Sequence, residues 1–138
     1  MIAHSEWKGG NIFEGAAENG NTVRFDANPG HDQGPSPMEA VLMALCGCTS
    51  VDVVSILEKK RQPLKALRVT ATATRNDTPP QVFKHIQLTY AVSGPVSRKA
   101  VEDAVALSEK KYCSVAAMLG KTATIQYEIV FPEGEPQS

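Results

Sequence analysis

The sequence is poor in several things that would narrow a function quickly. It lacks a basic stripe: 14 lysines and arginines are scattered along 138 residues against 15 carboxylates, for a net charge of −1. A phosphate backbone finds no continuous cationic footing on such a chain, so nucleic acid is not an expected partner. The opening residues, Met1-Ile2-Ala3-His4-Ser5-Glu6-Trp7, hold no apolar leader, and no stretch reaches the roughly 18 apolar residues read as a bilayer span. The expectation is a cytoplasmic protein with no membrane partner. Histidine is scarce: His4, His31 and His85 stand in unrelated segments. Cysteine is scarce too, and its count of 3 is odd and without the regular spacing of a secreted disulfide framework. In a reducing compartment such thiols are catalytic, metal-binding or simply core. No internal repeat or low-complexity tract appears.

What is present suffices for one domain over residues 1–138, because a hydrophobic share of 42% can bury a core at this length. Residues 1–27 carry short apolar runs split by Gly9-Gly10 and by Asn19-Gly20, a dipeptide suited to the positive φ of a tight hairpin turn, which predicts two or three small strands. Residues 28–37 concentrate turn formers and predict a loop, ordered or mobile. Ser36, Pro37 and Glu39 then form a helix start, with Ser36 as cap, Pro37 at the first helical position and Glu39 completing a capping box.

The central helix is expected over 36–61, ending on Lys59, Lys60 and Arg61, which suit the negative end of a helix dipole, before Pro63. Its first half is apolar all round, so one sheet face cannot bury it and a further layer, such as a second subunit, is required. Over 66–131, Leu67, Val69, Ala71 and Ala73 alternate with polar residues, as do Ile86, Leu88, Tyr90 and Val92 across the turn at 76–80, which predicts a hairpin. A helix with Val101, Ala104 and Val105 on one face follows, then a short helical turn and a last strand. Residues 132–138 read as a flexible tail. Strands in runs, separated by long helices, give an α+β class rather than a doubly wound sheet.

The chemistry rests with the cysteines, which as a type are among the most buried residues, so a purely structural role is the reading to beat. Two residues apart on a helix means about 200° of rotation, so Cys46 and Cys48 face opposite ways and cannot clamp one metal ion. Cys113 follows Lys110 and Lys111 and precedes a short helix. By local electrostatics it is expected to be the more acidic thiol. Cys48 sits mid-helix with Asp52 one turn on, which would hinder its ionisation unless that carboxylate is directed elsewhere.

Three segments together resemble a known family: Gly34-Pro35-Ser36-Pro37-Met38-Glu39, then Ala44-Leu45-Cys46-Gly47-Cys48-Thr49-Ser50-Val51-Asp52-Val53-Val54-Ser55-Ile56-Leu57, then Lys111-Tyr112-Cys113-Ser114-Val115. The chain is similar to the OsmC/Ohr superfamily, the osmotically inducible and organic hydroperoxide resistance proteins, over nearly its whole length. The resemblance implies an OsmC-like fold, with antiparallel sheets packed around two central helices in an intertwined homodimer and active sites at the subunit interface. It also implies cofactor-free, metal-free reduction of hydroperoxides, reset by an external dithiol. In that scheme Cys48 takes the place of the attacking cysteine and Cys113 that of the resolving one, while Cys46 has no assigned role. Arg24 matches the family's arginine-bearing segment, with a solvated strand arginine as the plain alternative. The family's glutamate position falls on Met38 here; Glu39 is its neighbour, rotated about 100° along the helix. A non-enzymatic redox-sensing or small-ligand-binding dimer is the competing reading. Acyl chemistry on Cys113 ranks last, because no histidine is placed to serve it.

Overall fold

A computed structural model describes residues 1–134 and 136, in two compact units, residues 1–43 and 44–138. The first unit is a meander of three antiparallel strands, β1 (Ala3–Trp7), β2 (Ile12–Ala17) and β3 (Thr22–Asp26), joined in that order. Both reversals lie where glycine allows positive φ: Gly9 and Gly10 at 99° and 56°, and Gly20 at 91°. The loop after β3 is ordered around one carboxylate. Asp26 is buried, and its oxygens accept the N–H groups of Asn28 at 2.8 Å and Gln33 at 3.0 Å. Those bonds hold its pKa below the ordinary value, the Gln33 bond first.

The capping box forms as read. Ser36 Oγ accepts the Glu39 N–H at 3.1 Å, and Glu39 Oε1 accepts the Ser36 N–H at 2.9 Å. These bonds open α1 (Pro37–Lys59), whose greater part belongs to the second unit. The helix closes where Arg61 takes a positive φ of 57° and Gln62 N–H reaches Leu57 O, an αL exit of the Schellman kind.

In the second unit, β4 (Ala66–Arg75) pairs antiparallel with β5 (Phe83–Ser93), and β5 pairs with β6 (Thr124–Val130). The register stacks Val69, Tyr90 and Ile129 across the sheet, and beside them Ala71, Leu88 and Tyr127. The period-2 alternation therefore gives the sheet one apolar face. The α+β class holds, with a mixed rather than wholly antiparallel sheet: β6 runs parallel to β5, because the intervening helices carry the chain back across the sheet. Those helices are α2 (Arg98–Leu107), a π-helical turn over Ser108–Tyr112 and α3 (Ser114–Leu119). Ala100, Val101, Ala104 and Val105 form the buried face of α2.

α1 buries one narrow stripe, Leu45, Thr49, Val53 and Leu57, and each apolar member contributes about 1.5–3 kcal/mol by leaving water. The opposite stripe is apolar and uncovered: Met43 is 59% and Val51 70% exposed, with Gly47 between them. By length and composition this helix is apolar enough to cross a membrane, with a mean hydropathy of 2.1, which corrects the expectation that no stretch could be. The tail expected over 132–138 lies partly outside the described residues. Within them, Gly134 N–H bonds Phe131 O at 2.9 Å and Glu133 Oε1 accepts the Gly94 N–H at 3.1 Å.

Candidate active site

The second unit brings together two of the four residues singled out from sequence. Cys48 is half-buried on α1, Cys113 is buried at the start of α3, and both thiols are free. The two thiols are near enough that Cys48 helps to raise the Cys113 pKa. Cys46 is turned away, toward the backbone of Ala71 on β4, and burial raises its pKa. The helix rotation that separates the two α1 thiols thus acts as expected.

The expectation that Cys113 is the more acidic thiol is overturned. Burial pushes its pKa up, and the proximity of Cys48 and Glu109 adds to the shift; the Ala116 N–H, donated to Sγ at 3.4 Å, opposes it without prevailing. α3 has only 6 residues, so its dipole is short. The neighbouring lysines are not aimed at the sulfur either: Lys111 is exposed and its ammonium lies over the Tyr112 ring, 5.3 Å from the centroid. Desolvation wins over a weak dipole end and absent cations.

Arg24 and Glu39 belong to the first unit, and each has a local partner there. Arg24 on β3 is exposed, and its Nη1 donates to Gln33 Oε1 at 3.0 Å. Glu39 is occupied in the capping box, which lowers its pKa, and lies 4.0 Å from His31 Nε2.

Sequence reading missed the polar cluster beside the thiols. The Tyr90 hydroxyl on β5 donates to Glu109 Oε1 in a short hydrogen bond and lies 2.7 Å from Thr49 Oγ1 on α1. Thr49 Oγ1 is also 2.7 Å from Ser108 Oγ, which donates to Asp52 Oδ2 at 2.8 Å. Asp52 is therefore directed at Ser108. Burial, then the Glu109 bond, moves the Tyr90 phenol well above its ordinary value; burial raises Glu109 as well, with Asp52 adding and Tyr90 opposing. Two sequence signals could have found the cluster: Thr49 interrupts the buried stripe of α1, and Tyr90 sits on the apolar side of β5. Ser108 and Glu109 gave none, because the π-helical turn that presents them breaks the 3.6-residue period.

Asp52 also lines an open groove of about 430 Å³ with Val51, Ile56, Lys59, Leu107 and Tyr112. Among the described residues, no group of three or more His, Cys, Asp or Glu side chains is arranged to hold a metal ion.

A free thiol pair, one on a long helix and one at the start of a short one, in an α+β unit, is the arrangement the family resemblance implies. The OsmC-like protein family model matches residues 30–128. The chain belongs to the OsmC-like family. Protein YhfA of Escherichia coli is 45% identical over 133 residues, covering 94% of this chain and 98% of that protein. The OsmC-like protein from Mycoplasma pneumoniae has the same fold at a TM-score of 0.83 and 17% identity, over 94% of this chain and 95% of its own. An organic hydroperoxide resistance protein, OsmC, from Legionella pneumophila superposes at a TM-score of 0.70 and 17% identity, over 93% and 94%. At such identities the structural likeness speaks for the fold alone. Family membership applies across both cysteine segments, since Cys48 and Cys113 fall inside the matched span.

Proposed function

We propose that the protein is a cofactor-free thiol peroxidase of the OsmC-like family, reducing hydroperoxides as part of oxidative stress defence in the cytoplasm. The observation that carries this reading is the proximity of two free thiols, Cys48 and Cys113, in one unit. The name of the Legionella relative, a hydroperoxide resistance protein, supports the substrate class. In the proposed cycle the Cys48 thiolate attacks the terminal peroxide oxygen. The alcohol leaves, taking a proton, and Cys48 becomes a sulfenic acid. Cys113 condenses with it, forming the disulfide and releasing water, and an external dithiol reduces the bond.

Cys48 is the better placed to attack, because it is partly accessible whereas Cys113 is buried. Arg24 and Glu39 are the proposed activating pair, on the strength of the family resemblance; Glu39 is the weaker of the two, since the capping box already accounts for it. The uncovered apolar stripe of α1, Met43, Gly47 and Val51, supports a homodimer in which a second copy covers that face, because a soluble chain rarely leaves such a stripe in water.

Cys48→Ser is expected to abolish hydroperoxide consumption, while Cys113→Ser retains one turnover and accumulates sulfenic acid detectable by mass spectrometry after trapping. A Cys48→Ser protein that consumes peroxide at the parental rate would overturn the assignment. The competing reading, a redox-sensing dimer without turnover, is favoured instead if the disulfide forms but a dithiol reductant sustains no steady rate.

A further inference from the structure

The second unit holds a cluster of side chains to which the cycle above gives no role. At its centre are Thr49 and Ser108, each 0% exposed, whose hydroxyl oxygens lie 2.7 Å apart. Each stands where its helix would otherwise bury an apolar side chain. Thr49 takes the second place in the α1 stripe of Leu45, Thr49, Val53 and Leu57, and Ser108 continues the α2 face of Val101, Ala104 and Val105. A buried hydroxyl without a partner is costly. These two are accommodated by each other and by their neighbours, for the Tyr90 hydroxyl lies 2.7 Å from Thr49 Oγ1 and Ser108 donates to Asp52 at 2.8 Å.

Each hydroxyl residue is joined directly to one of the two cysteines. Thr49 follows Cys48 in the chain. Ser108 opens the π-helical turn, and its carbonyl accepts the Cys113 N–H at 2.8 Å. That bond spans five residues, and burial follows it. After Ser108 the next buried residue is Cys113, whereas Tyr112, which an uninterrupted α-helix would bring to the same face, is 50% exposed. Cys113 is held from its other side as well, where it caps α3 and its sulfur accepts the Ala116 N–H at 3.4 Å. One peptide link, one hydroxyl contact and one backbone hydrogen bond therefore connect the two thiol-bearing residues.

We infer that Thr49 and Ser108 are positioning residues for the disulfide step: their contact ties the π-helical turn to α1 and so holds Cys113 within reach of Cys48. This assignment rests on the thiol-pair reading above. A disulfide closes only when the two Cα atoms come within about 7 Å, a condition that separate elements meet only if something fixes their relative placement. A buried pair of hydroxyls does so with direction as well as contact, since sliding the turn along α1 would separate two oxygens that have no water to turn to. Apolar side chains in the same two places would pack with less preference for one alignment. The clamp acts by raising the effective concentration of Cys113 at Cys48.

Oxidised glutathione reads the clamp without peroxide, in a Cys46→Ser background. The Cys48 thiolate attacks the reagent and releases one glutathione thiolate; the Cys113 sulfur then displaces the second from the mixed disulfide. Overall two protein thiols and one glutathione disulfide give one protein disulfide and two glutathione thiols, with protons conserved. The equilibrium constant of that exchange measures the effective concentration of one protein thiol at the other. Thr49→Val is expected to lower it about tenfold, Ser108→Ala by a similar factor, and the double variant no further, because either change breaks the same contact. Thr49→Ser, which keeps the hydroxyl, should stay within about threefold of the parent. A residue that merely stabilises the fold shifts the oxidised and reduced forms equally, so variants that melt earlier with the constant unchanged overturn the assignment. So do losses that simply multiply in the double variant. If the variants do not fold, the reduced parent decides: its Cys113 amide should exchange with solvent deuterium within about tenfold of the β5 amides, and exchange at the rate of an open chain overturns the clamp. A parent in which peptide mapping finds no Cys48–Cys113 disulfide removes the thiol-pair reading itself, whereas a parental disulfide with indifferent variants removes the clamp alone.

Discussion

At the scale of single residues, Cys113 shows how burial reverses a local argument. A helix start and two nearby lysines favour a thiolate, but the residue is 3% exposed, and the cost of a charge there exceeds what a short dipole returns. The consequence is that Cys48 is the more accessible of the two thiols. Glu109 carries a second residue-scale consequence. Its folded-state pKa is raised above the ordinary 4.5, so the folded state holds the proton more tightly than the unfolded chain does. The stabilisation this confers is complete below the unfolded pKa and is lost as pH rises through the folded value. Thermal unfolding of the parent should therefore show a Tm that declines as pH rises above the ordinary carboxylate range, a decline that Glu109→Gln lacks. Parallel pH profiles for the two proteins would contradict the raised pKa.

At the scale of elements, α1 is specified by its ends and by one stripe. Ser36 and Glu39 satisfy each other's backbone donors, so Ser36→Ala should lower stability by about 1 kcal/mol in chemical denaturation. Leu57, 0% exposed and one turn before the αL exit, should cost about 2–5 kcal/mol when cut to alanine. An unfolding free energy unchanged by Leu57→Ala would mean that the end of the helix frays independently of the core. The capping box was legible in the sequence because it is local: four residues, two hydrogen bonds, fixed spacing. The hairpin was legible for a similar reason, since alternation in β4 and β5 sets which face is apolar whatever lies on it. The parallel placement of β6 was not, because strand direction depends on how α2, the π-helical turn and α3 carry the chain back, and no local pattern encodes that path.

At the scale of the whole molecule, the apolar stripe opposite the buried face of α1 stands exposed at Met43 and Val51. A second copy of the chain is the occupant the family resemblance implies, and it is the one to test. Sedimentation at micromolar concentration should give twice the mass of the 14.8 kDa chain, and Val51→Glu should weaken self-association at least about tenfold, since a buried unpaired charge costs more than 1.4 kcal/mol. A monomeric parent at that concentration would remove the dimer from the proposed function.

The sequence by itself determined the elements, their order, the family and the two thiols, since each is carried by local pattern: a cap, an alternation, a motif spacing, a 100° step along a helix. Only the tertiary structure decided that Cys113 is buried rather than activated, that Asp52 is directed at Ser108, and that Glu109 meets Tyr90. Those outcomes depend on which groups far apart in sequence exclude water from one another, and desolvation has no signature in a linear chain.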